Sequence, residues 1–203
     1  MNVIFVKWGT KYSSEYVNKI VVDLDLRADY YCFTDDPEGI DERVNIIPIP
    51  KDLHLKKWWN KLYMFSEDFP LSGNTLFFDL DIRINQPIDG WIEDIDWDAL
   101  TVVGAWHKMG NEVYNRPQNY DVTIHSSVIA WNADNPKVHE IWDHFNTGQR
   151  DYYLRKYKGI DRFITHEEFD HELFPEGMTR SEKYEHDIAE RAITTFEDCE
   201  YVV

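Results

Sequence analysis

Apolar residues follow two rhythms along this chain. Short, mostly apolar runs at 2–6, 30–33, 44–49, 100–106 and 128–131 read as strands, and the run that opens with Leu76-Phe77-Phe78 after the turn-like Ser72-Gly73-Asn74 has the form of a strand buried on both faces. Between them the spacing is helical. Tyr16, Ile20 and Leu24 fall at i, i+4 and i+8, predicting a helix over 15–26 capped by Ser13 or Ser14. Leu55, Trp58, Trp59, Leu62 and Phe69 form a stripe that predicts a helix over 55–69, with both Trp in the core and Lys57 and Lys61 together on a separate face. Asn135-Pro136 starts another helix, with Val138, Ile141, Trp142 and Phe145 on its apolar side and Gly148 as its stop. A short helix over 151–158 and a last strand over 192–196 complete the reading. Strand, helix, strand from the first residue is the opening of a mostly parallel α/β sheet flanked by helices. In such sheets the loops after the strands gather at one edge, where ligands bind. That edge would hold 7–12, 34–36 and 79–81.

One run carries the chemistry. Leu76-Phe77-Phe78-Asp79-Leu80-Asp81-Ile82-Arg83-Ile84 reads as a single strand, and in an extended chain Asp79 and Asp81 point to the same side. Two carboxylates held together at a strand end repel unless a cation lies between them, and hard oxygen donors suit Mn²⁺ or Mg²⁺. The alternative is a strand running into solvent with acids at its tip. Two later segments add candidates. Residues 107–121 form a polar loop long enough to be a lid or a substrate-contacting segment. His125-Ser126-Ser127 places polar groups where the next strand begins.

Composition narrows the function. A chain of 203 residues with 43% hydrophobic and 15% aromatic residues is a folded protein, read here as one domain over 1–203. A net charge of −17 argues against nucleic acid or an anionic membrane surface as partner. Cys32 and Cys199 make no disulfide framework, residues 1–6 carry no signal-peptide pattern, and no run reaches transmembrane length, so a cytoplasmic protein is expected. Residues 160–203 are strongly acidic.

Five segments, in order, resemble the sugar-nucleotide-dependent glycosyltransferases of the GT-A fold, in particular the family 8-like enzymes of bacteria and phages. They are 2–12, Tyr31-Cys32-Phe33-Thr34-Asp35-Asp36, Trp58-Trp59-Asn60-Lys61-Leu62, 76–81 and 125–131. The resemblance implies a retaining transfer from a UDP-hexose to a saccharide or other hydroxyl acceptor. It implies that Asp79 and Asp81 bind Mn²⁺ or Mg²⁺ against the donor diphosphate, with Leu80 between them and Lys61 assisting. It further implies that Val6, Trp8, Gly9, Thr10, Tyr12, Thr34, Asp35 and Asp36 hold the nucleoside, while Ser126, Ser127 and Asp161 face the sugar or acceptor. The family's late G-D-Q segment reads Gly159-Ile160-Asp161-Arg162 here, and its closing H-x-G-x-x-K-P stretch is missing. His166, His171 and His186 are the candidates for a third metal ligand.

Two other classes fit parts of the pattern. The same fold could bind a nucleotide sugar without turning it over. A haloacid-dehalogenase-type phosphatase would use Asp79 as nucleophile, although Arg83 stands where that motif carries Thr or Val.

Overall fold

The computed structural model describes residues 1–105, 122–175, 178–181 and 193–195. Its centre is β1 (Asn2–Lys7), in which every residue is buried. Burial on both faces follows from its neighbours, since β1 pairs in parallel with β2 (Asp29–Thr34) on one side and β4 (Asn74–Phe78) on the other. Beyond β2 lies β3 (Val44–Pro48); beyond β4 lie β7 (Ile124–Asn132), β6 (Thr101–Gly104) and β8 (Glu172–Leu173). The order is β3-β2-β1-β4-β7-β6-β8, with antiparallel pairing only between β4 and β7 and between β6 and β7. The chain runs outward through β2 and β3, then returns to the far side of β1. The crevice between β1 and β4 is therefore the topological switch point, where open α/β sheets bind ligands.

Alternation along β1 feeds two cores. Ile4 and Val6 face a layer built from the 3-10 helix Lys57–Phe65, α3 (Pro136–Asn146), α4 (Arg150–Lys156) and α5 (Ile160–His166). Val3 and Phe5 face α1 (Ser14–Leu24) and a three-stranded sheet of β5 (Ile82–Ile84), β10 (Ile193–Thr195) and β9 (Thr179–Ser181). A single turn of helix, α2 (Asp89–Ile92), follows β5.

Most predicted elements are present, and α3 begins as expected: the Asn135 side chain accepts a hydrogen bond from the Lys137 N–H, with Pro136 at the first helical position. Three expectations change. The stretch 76–84 is not one strand: β4 stops at Phe78, and β5 leaves for the smaller sheet to pair with β10. Residues 57–65 wind with a 3-10 pitch, three residues per turn. Lys61 is therefore in register with Trp58 rather than Lys57, and only Trp59 joins the core at 6% exposure, against 37% for Trp58. Tyr16 lies outside the buried stripe of α1, which is Val17, Ile20, Val21 and Leu24. The loop 107–121, expected to form a lid, lies outside the described residues.

Candidate functional site

The site grows from the turn that ends β4. The Asp79 N–H donates to the Ser127 carbonyl at 2.8 Å, extending the ladder with β7 by one rung. Leu80 is buried in the core beneath the turn, leaving the acids on either side of it partly exposed. Lys61, itself buried, reaches across from the 3-10 helix, and its ammonium lies 2.6 Å from Asp79 Oδ1 and 2.7 Å from Oδ2. The same ammonium donates to the Ser126 carbonyl at 3.3 Å and stands 4.9 Å from the centre of the Phe77 ring. Ser126 in turn donates its backbone N–H to Asp161 Oδ1 at 3.1 Å. Asp161 sits in the first turn of α5, so the start of that helix is tied to the strand β7.

Charge at this point is unbalanced. Burial pushes the Asp79 carboxyl up to about 7; Lys61 opposes that rise, while Asp81 and Asp161 add to it. Asp81 and Asp161 thus lie within electrostatic reach of an Asp79 that is itself paired with the enclosed Lys61 ammonium. A divalent cation would answer that excess, and the donor set of hard oxygens fits Mn²⁺ or Mg²⁺. Among the described residues no group of three His, Cys, Asp or Glu side chains is close enough to enclose an ion. Of the candidate third ligands, His166 stacks on Tyr157 and His171 donates from Nδ1 to the Phe169 carbonyl; His186 lies outside the described residues.

Across the crevice, the loops after β1 and β2 lock onto each other. Gly9 turns the chain with φ +60°, a left-handed conformation that glycine adopts without strain, and its N–H donates to Asp35 at 3.0 Å and 3.1 Å. The Lys7 ammonium donates to the Asp36 carbonyl at 2.8 Å and its carboxylate at 3.2 Å. The Thr34 hydroxyl and the Asp36 backbone exchange hydrogen bonds at 3.0 Å. The Glu38 N–H and the Lys7 ammonium together hold the exposed Asp36 carboxyl below its usual range. Trp8 packs part of its ring against the core, Thr10 is exposed, and Val6 is buried in the strand. The two halves are joined where the Tyr12 hydroxyl donates to Asp81 Oδ2 at 3.0 Å.

The sequence-selected residues thus fall into two groups, Gly9–Thr34–Asp35–Asp36 and Lys61–Asp79–Ser126–Asp161, bridged by Tyr12 and Asp81. Ser127 is enclosed, and its hydroxyl has no hydrogen-bond partner among the described residues. Lys7 was missed. Its place at the buried end of a strand, where an unpaired cation is costly, was the available signal.

Neither a protein-family model nor a curated protein matches the sequence. Solved structures do match it. The galactosyltransferase LgtC, solved in complex with donor and acceptor sugar analogues, superposes with a TM-score of 0.65 at 11% identity, over 97% of this chain and 87% of LgtC. The fold is that of the GT-A glycosyltransferases. The glycosyltransferase GlyE of Streptococcus pneumoniae TIGR4 shares it, with a TM-score of 0.61 at 12% identity over 88% of this chain and 46% of GlyE. In this GT-A chain no helix among the described residues is long and apolar enough to cross a membrane.

Proposed function

We propose that this chain is a metal-dependent glycosyltransferase that moves a hexose from a UDP-sugar to a saccharide or other hydroxyl acceptor. The observation that carries the reading is the enclosed Lys61–Asp79 pair, with Asp81 and Asp161 in electrostatic reach of Asp79, at the switch-point crevice of a GT-A sheet. The linked loops after β1 and β2 form the nucleoside side, with Asp35, Asp36 and Thr34 as acceptors and Lys7 as the charge behind them. Asp79 and Asp81 would hold Mn²⁺ or Mg²⁺, which supplies Lewis-acid stabilisation of the departing nucleoside diphosphate.

Every other role belongs to the chain itself. Lys61 fixes the orientation of Asp79 through both oxygens and puts a desolvated positive charge beside the diphosphate. Tyr12 holds Asp81 from the opposite side. Asp161, oriented by the Ser126 N–H, stands on the acceptor side. In an inverting transfer it would take the proton of the acceptor hydroxyl. Retention, which rests on the family resemblance, would leave it to orient the sugar. The haloacid-dehalogenase alternative has lost its footing, because the sheet is of the GT-A type.

Calorimetric titration with UDP, with and without Mn²⁺, tests the reading. The expected result is binding that requires Mn²⁺ and weakens by at least about a hundredfold in Asp79→Asn and in Asp81→Asn, the loss of one charged ligand. Binding that ignores Mn²⁺, or that survives both substitutions, would overturn it. Release of UDP from a panel of UDP-hexoses then separates an enzyme from a protein that only binds.

A further inference from the structure

The exposed indole of Trp58 belongs to no element of the site so far, yet its helical register and its contact with Gly159 set it beside the site. The 3-10 pitch puts Trp58 one turn before Lys61, in the same row. Its pyrrole edge lies against the backbone of Gly159, where a Cβ would come within 3.4 Å of Nε1 and 3.7 Å of Cδ1. Gly159 caps α5, whose first turn carries Asp161, and Asp161 leads back through Ser126 to Lys61. The chain of contacts closes on itself. Trp58 is 37% exposed at such a place, while its neighbour Trp59 is 6% exposed, so part of its indole is an apolar surface open to solvent.

We propose that Trp58 is the stacking wall of the acceptor subsite, taking the apolar face of a pyranose ring. The proposal rests on the glycosyltransferase reading and names the acceptor class as a saccharide. Position in the sheet chooses acceptor over nucleoside. The nucleoside loops follow β1 and β2, whereas Ser126 belongs to β7, on the other side of β4, and the 3-10 helix and α5 pack on that side. The chemistry suits a sugar. One face of a hexopyranose is lined by C–H groups that lie flat on the electron-rich face of an aromatic ring, while its hydroxyls point outward at the rim. The Lys57 ammonium lies over one face of the Trp58 ring, 5.3 Å from its centre, so the pyranose would take the other face. At Gly159 a Cβ would meet the indole at ordinary van der Waals distance, so the edge of the ring lies close along the start of α5.

The test is saturation-transfer NMR on the intact chain with the methyl glycosides of glucose, galactose, mannose and N-acetylglucosamine, with and without saturating UDP and Mn²⁺. At least one glycoside should show transfer to its ring protons, with affinity falling about tenfold in Trp58→Ala and largely retained in Trp58→Phe. Because Trp58 is exposed, both variants should fold, which a circular-dichroism melt verifies. Equal transfer to the parent and Trp58→Ala, or transfer from none of the four, would overturn the proposal. The parent's calorimetric titration with UDP and Mn²⁺ keeps the outcomes apart. Absence of UDP binding sinks the transferase reading, while glycoside transfer that depends on Trp58 would still mark a saccharide site.

Discussion

Lys61 is the residue on which the site's electrostatics turn. An ammonium buried to this degree is tolerable only because a carboxylate accepts from it, and the Asp79 carboxylate is tolerable only because of the ammonium. Replacing Lys61 by Met strands the acid among Asp81 and Asp161. The variant should lose about 3 kcal/mol of stability at neutral pH by urea denaturation, the cost of breaking an enclosed pair. Adding Asp79→Asn should return most of that loss, since the amide has no charge to desolvate. A double variant no more stable than Lys61→Met would mean that the pair is not what supports the turn. Much of this was readable beforehand: two acids one residue apart after an apolar run, and a Lys on the preceding segment. The partner assignment was not, because it depends on the winding of residues 57–65.

That winding is an element-scale matter. A stripe of Leu55, Trp58, Trp59 and Leu62 satisfies a period of three nearly as well as 3.6, so the pattern cannot choose. What chooses is the approach. His54 and Lys57 both take left-handed backbone conformations, with φ of 53° and 57°, and no feature of their side chains announces it. Left-handed geometry costs a non-glycine residue about 1 kcal/mol. His54→Gly should therefore raise stability by up to about 1 kcal/mol by thermal or urea melts, since His54 is exposed and glycine adopts the conformation freely. No gain would show that the unfolded chain's added freedom offsets the relieved strain. The break between β4 and β5 was illegible for a different reason. Alternation through Leu80 and Ile82 continues unbroken, and the strand changes sheets only because β10 is there to receive it. Local pattern carries no trace of a partner more than a hundred residues away.

At the scale of the whole molecule, one carboxylate ties the helical layer together. Glu167, just past α5, accepts from Tyr157 and, at 3.0 Å each, from Lys156 and His144, so α3, α4 and α5 meet on it. Burial would raise its carboxyl, but the hydrogen bonds from Tyr157, Lys156 and His144 outweigh that and hold it at about 2. A depressed carboxylate stabilises the fold above its unfolded value near 4.5, and that contribution disappears as pH falls towards 2. Glu167→Gln should therefore be less stable than the parent by about 2 kcal/mol at pH 7, discounting for residual solvent screening. The gap should narrow as melts are taken from pH 5 down to pH 3. A gap independent of pH would locate the effect in packing instead. The pairing of β10 with β5 has a consequence in time rather than in space. Ile82 follows Asp81 directly, and its partner Thr195 is more than a hundred positions further on. At ordinary rates of protein synthesis that separation is on the order of ten seconds. Throughout that interval the nascent chain holds both carboxylates of the turn with one flank unpaired. The geometry around Asp81 is thus completed only after residue 195 has been made.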